Sequence, residues 1–435
     1  MSAEPLESSY SLHSRRLQEP QPQEPCKTSQ PTNRFFVLLA PFSALALLLA
    51  IIFYSINVGH SIYSVFLLQG CLAVGMLEIS WWHYRIRQRF LASLEVTSMA
   101  DSLARDGDPE LSLAGREQYD RALEETMEPK AFAVTSLTCR WLPDGRGVAF
   151  VVALVAASVA AAVSVAIAEL TESSVTVCAA VGAFAGVLCA CLAPTPGDGI
   201  AIFIHVAALT ATAMNTMYVY YTGSVTKIAI VDYLFVAQSG WMTIAISRII
   251  VSKKLLECFL MVSLDTVALL HVTVIMMEMV DFVEHPGADD VPHELDAFFI
   301  TIVSAEFGHY LFSIVTGRLM PFCFWHWKYT PPRMWGADFV VSVLFGVAGM
   351  KIWTAIASLN MSTWNTIALL GALGLSQIGR SFISLTQETA RVPPRTCATF
   401  DVWNNGIVEL INPFLVGWIV FHPFAKKIVG KEIEY

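Results

Sequence analysis

The chain has 435 residues, of which 55% are hydrophobic and 14% charged, and its mean hydropathy is +0.56. A water-soluble domain rarely carries that balance, so a soluble globular fold is excluded and an all-α, polytopic helical membrane protein is expected. The formal net charge of -9 shows no basic face, which excludes a phosphate-backbone binder and hence a nucleic-acid partner.

Residues 1–34 are polar and rich in Pro, Gln, Glu and Ser, without the basic-then-apolar order of a cleaved signal peptide. They read as a disordered cytoplasmic tail. A bilayer core about 30 Å thick takes about 20 apolar helical residues, and cutting the sequence at Pro, Gly and charge gives roughly eleven such segments. The first two lie at about 35–56 and 61–82 and form a unit at 35–82.

A cytoplasmic loop follows at 83–146. Within it "DPELSLAGREQYDRALEETMEP" starts with Asp108 as cap and Pro109 at the first helical position, which predicts a surface helix serving as a solvated connector.

The main bundle, 147–425, holds segments at about 147–170, 174–193, 200–222, 227–249, 255–280, 296–317, 337–358, 362–385 and 405–425. The first two are built from Ala, Val, Ser and Gly, with Gly182 and Gly186 at GxxxG spacing. Small residues let helix backbones approach closely, so both are expected in the packed bundle. In the last segment Asn412-Pro413 interrupts the pattern, which leaves a broken or re-entrant helix as an alternative. The C-terminal tail is 426–435.

Lys and Arg of alternate loops, from Arg15 and Arg16 through "HYRIRQRF" to Arg391 and Arg395, fall on one side. The bias of these residues sets topology, so that side is cytoplasmic and carries the N-terminus. The opposite loop at 281–296 holds acids and histidines only. Such a loop concentrates cations at its mouth or follows the charge bias, and the two readings weigh evenly. The aromatic run at 321–335 reads as an interfacial belt.

Ionisable groups inside apolar segments are costly, which makes them functional-site hypotheses. Glu306 and His309 are three apart on one helical face, a spacing by which bundle helices present carboxylate and imidazole to a metal. The preceding segment carries Asp265, His271 and Glu278, and the short loop predicts it as the antiparallel neighbour. Counted from the shared surface, His271 and Glu306 are about nine and ten residues deep, and Asp265 and His309 about fifteen and thirteen. These depths predict contacts of His271 with Glu306 and, less securely in azimuth, of Asp265 with His309. Lys351 is placed to neutralise one carboxylate, and Arg380 to snorkel at a helix end.

No Gly-rich phosphate loop, HExxH or GxSxG signature is found in the sequence. Three readings follow. One is a transporter or permease, embedded in the lipid bilayer, for a small solute or cation, with Asp265, His271, Glu306, His309 and Lys351 as substrate site or proton relay. Another is a membrane-embedded lipid enzyme with a divalent metal on His271, Glu306 and His309. The third is a non-catalytic structural or receptor subunit whose polar groups hold helices in register.

Overall fold

The computed structural model describes residues 62–103, 132–134, 146–170, 175–222, 232–252, 254–283, 293–319, 337–359, 361–390 and 406–432. The expected tail, first apolar segment, connector helix, aromatic run and, of the acidic loop, residues 284–292 lie outside them. The regular structure among the described residues is helical: α1 (Ile62–Leu103), α2 (Arg146–Leu170), α3 (Thr176–Cys191), α4 (Pro196–Thr222), α5 (Tyr233–Val251) and α6 (Leu255–Ala268). A π turn (Leu269–Thr273) then continues α6 into α7 (Val274–Val283), followed by α8 (His293–Leu319), α9 (Ala337–Ile356), α10 (Thr363–Thr389) and α11 (Ile407–Glu432).

Counting α6, the π turn and α7 as one stretch, nine helical stretches among the described residues are long and apolar enough to cross a membrane. The remaining one, α3, has 16 residues and is a shorter apolar helix. Successive stretches alternate in direction, so the bundle has an Arg87 end and an Asp281 end.

Helix starts are written into the local sequence. Thr195 caps α4: its hydroxyl accepts from Asp198 N at 3.2 Å and donates to Asp198 Oδ2 at 2.6 Å, and Pro196 occupies the first helical position. Asp232 caps α5 by accepting from Leu234 N at 2.9 Å.

Two helix groups emerge from the packing. In the first, α1 to α7, α1 packs on α3, α4, α6 and α7. In the second, α8 packs tightly on α9 and α10 on α11. The groups meet where α11 lies against α1, α7 and the π turn. Glycines permit the closest crossings. A Cβ on Gly182 would lie 2.0 Å from Thr210 Oγ1 of α4, and one on Gly349 would lie 2.1 Å from Ser304 Oγ of α8. The GxxxG expectation holds for α3, whose Gly182 and Gly186 are buried against α4. It holds in part for α2, which buries an Ala149, Ala153, Ala157 stripe and turns Phe150, Val151, Val155 and Val159 outward.

Three further expectations are corrected. The loop at 83–146 is helical through Leu103, because α1 runs on well past its apolar part. The last segment is one continuous helix that carries Pro413 and Pro423 inside it. Pro413 removes one backbone donor, yet Ile411, Phe414, Leu415 and Trp418 are buried around it, and that packing holds the helix together. Finally, α8 is not the packed neighbour of α6 and α7. Helix α11 lies between them, running parallel to α6 and α7 and against Phe298 and Ile302 of α8.

Candidate functional site

Buried ionisable groups form two clusters inside the helix groups and one line between them. Within the first group, Arg248 in the last turn of α5 forks onto Asp265 of α6. Its Nε donates to Oδ2 at 2.7 Å and its Nη2 to Oδ1 at 3.2 Å. Arg248 Nη1 is 2.8 Å from Asp198 Oδ1, an ion pair without hydrogen-bond alignment. On the open flank of Asp265, His83 Nδ1 stands 3.5 Å from Oδ1. Two turns beyond Asp198 along α4, His205 Nδ1 meets Thr273 Oγ1 of the π turn at 2.9 Å. A planar guanidinium bridging two carboxylates is the strong form of such a pair, and it ties α4, α5 and α6 together.

Within the second group, Arg380 of α10 donates to Glu306 Oε1 of α8. His309 Nδ1 donates to the Asp338 carboxylate in the first turn of α9, with both oxygens at 2.8 Å. These contacts correct two expectations. Arg380 is buried against Glu306 and does not reach out along a helix end. Lys351 is exposed on α9 and joins no ion pair among the described residues, so it neutralises neither carboxylate.

The contacts foreseen for His271 with Glu306 and Asp265 with His309 do not form, since each of the four has another partner. The physical reason is the insertion of α11. His271 faces that helix, and its Nε2 donates to Asn412 Oδ1 at 2.5 Å while its ring lies 5.4 Å from that of Phe382. Glu306 and His309 face α10 and α9 instead. As a consequence His271, Glu306 and His309 make no common donor set, and no group of three or more His, Cys, Asp or Glu among the described residues is arranged to hold a metal.

The line between the groups continues from His271 toward the Asp281 end. His422 Nδ1 donates to Glu278 Oε1 at 2.6 Å, and Lys426 Nζ lies 3.4 Å from Asp281 Oδ2. Trp418 stacks on the His422 ring at 5.6 Å and meets Phe282 edge-on at 5.3 Å. At the Arg87 end, Glu78 Oε2 accepts from Val408 N at 3.0 Å in the first turn of α11, with its carboxylate against Gly406. The first N–H groups of a helix have no partner within it, and Glu78 supplies an acceptor for one of them.

At the middle of this line both helices are irregular. His271 sits in the π turn, and Asn412 precedes Pro413. Single π turns inside α-helices concentrate at functional sites, and a proline frees the carbonyl four residues before it. Asn412 Nδ2, fully buried, has no hydrogen-bond partner among the described residues. The sequence reading had singled out His271 and the Asn-Pro step separately. Their facing each other needed the three-dimensional arrangement.

These features define a multi-pass helical membrane protein with two helix groups and ionisable residues both within and between them. No protein-family model, curated protein or solved structure matches the chain.

Proposed function

We propose that the protein is a membrane transporter for a small solute or cation, in which the two helix groups move against each other and His271 carries the coupling proton. One observation carries this reading: the His271 to Asn412 contact bridges the groups at a point where both backbones are irregular. Carriers place their sites where helices with interrupted backbones meet between repeats or bundles, and imidazole is the side chain most used to take up and release protons there. The Arg-rich end of α1 faces the cytoplasm in this proposal, by the bias of Lys and Arg.

The test uses the full chain in proteoliposomes under an imposed pH gradient, screened against small cations and organic solutes. Gradient-driven uptake is expected for the wild type and is lost in His271→Phe at unchanged yield of folded protein. Uptake that persists in His271→Phe, or a wild type that moves nothing in the panel, overturns the proposal.

A second reading, a structural or assembly subunit, is favoured by a separate observation. Asp265, Glu306 and His309 are each paired within one helix group, as locks between packed helices would be. Under that reading Glu306→Gln lowers yield, with no activity to lose.

A further inference from the structure

We infer that the cluster of His83, Asp198, His205, Arg248 and Asp265 holds one further positive charge, either a proton on its imidazoles or a bound monovalent cation. Arg248 supplies one positive charge, and Asp198 and Asp265 supply two negative ones, so one negative charge is left over when both imidazoles are neutral. The side chains of His83, Asp265, Arg248 and Asp198 are 7%, 4%, 4% and 1% exposed, and His205 is fully buried. Leaving a charge uncompensated at such depth is strongly unfavourable, and a buried site either acquires a counter-charge or gives up its own.

Among the described residues, the start of α4 at Asp198 supplies only the partial positive charge of a helix N-terminus. Arg87 of α1 is tied to Glu257 of α6, and that pair balances itself. The groups that face the cluster are Tyr84 and Arg87 on α1, Asp198 and His205 on α4, Arg248 on α5, Glu257 and Asp265 on α6, and Thr273 on the π turn. A second observation points to a ligand: His205 Nε2 is buried and has no hydrogen-bond partner among the described residues, and the charges acting on this ring are those of Asp265, His83 and Arg248. An acceptor or donor nitrogen is thus free inside a site that is one positive charge short. The inference concerns what the folded protein binds, and it stands or falls apart from transport.

The test follows the unfolding temperature of the full chain in nanodiscs between about pH 5.5 and 8.5, the range in which imidazoles titrate. It is run in choline chloride and in sodium chloride at equal ionic strength. A proton held by the folded state and released on unfolding stabilises at low pH, and that stability is lost as pH rises. In the proton case the wild type therefore loses stability with rising pH in both salts. In the cation case sodium restores it at high pH. Asp198→Asn removes the leftover charge and is expected to lose this dependence, while the other histidine and acid pairs contribute equally to both proteins. Identical responses of wild type and Asp198→Asn to pH and to sodium overturn the inference. Should Asp198→Asn fail to fold, His83→Lys, which fixes a positive charge beside Asp265, is compared with the wild type by the same criterion.

Discussion

His271 donates to the side-chain oxygen of Asn412 over 2.5 Å, and the two residues belong to different helix groups. A single neutral hydrogen bond is worth about 1 kcal/mol net, so the contact fixes alignment without locking the groups. His271→Gln, which retains a donor of similar reach, is expected to keep the groups docked while removing the titratable proton. His271→Phe removes both. Cross-linking across the group boundary near Asp281 and Lys426 checks this: the Gln variant behaves as wild type, and the Phe variant cross-links less.

The Glu306 and Arg380 pair gives the opposite expectation. Both residues are buried, so Arg380→Met leaves a carboxylate without its counter-charge, which costs about 3–5 kcal/mol. Adding Glu306→Gln to Arg380→Met is expected to recover most of the loss. Yield and unfolding temperature in detergent measure it. Lys351→Met, at an exposed position with no ion pair among the described residues, is expected to stay within about 0.5 kcal/mol of wild type.

At Gly182, α3 lies directly against the Thr210 side chain of α4. An alanine there places its Cβ 2.0 Å from Thr210 Oγ1 and 2.9 Å from Thr210 Cβ, and the latter cannot swing away. Overpacking of this kind costs about 1–3 kcal/mol. Thr210→Gly is expected to relieve part of it, though not all, because Thr210 Oγ1 also accepts from Gln69 Nε2 at 3.2 Å. Unfolding temperatures of the single and double variants check the coupling.

At the Asp281 end the ion pairs differ in burial. Lys426 and Asp281 are 37% and 25% exposed, so Lys426→Ala is expected to cost less than about 1 kcal/mol and to matter less at high salt. His422 is buried under Trp418 and Phe282. Glu278→Ala, which strips its partner, is expected to cost more than Lys426→Ala in a direct comparison of unfolding temperatures at low and high salt.

Apolar runs bounded by Pro, Gly and charge placed the described helices to within four residues, except that α5 starts six residues later, α11 ends seven later and α1 runs on much further; the runs are set by the thickness of the hydrocarbon core. The continuation of α1 past its apolar part carries no such signal, because charged residues sustain a helix as well as a loop. The four titratable positions at 265, 271, 306 and 309 were found because charge inside apolar sequence is conspicuous. Their partners were not. Matching depths across a short loop assumed that consecutive helices touch, and α11, more than 90 residues later than Glu306 in the chain, lies in between. The azimuth argument also assumed 3.6 residues per turn throughout, whereas the π turn at 269–273 separates Asp265 from Glu278 and shifts the faces on either side of it. Asp198, His83 and Asp338 gave no signal at all, lying at segment ends where a charged residue is ordinary.

Helix α1 has 42 residues, about 63 Å at 1.5 Å per residue, roughly twice the hydrocarbon thickness. Its apolar half is gripped by members of both groups, and its remainder, from Arg87, which is tied to Glu257, and Arg89, which donates to Thr389 O, runs on for about 25 Å to Leu103. An arm of that length converts a tilt of about five degrees at its root into about 2 Å at its tip. Small rearrangements deep in the hydrocarbon are thereby made legible in the aqueous phase, where a soluble partner or a spectroscopic label can read them.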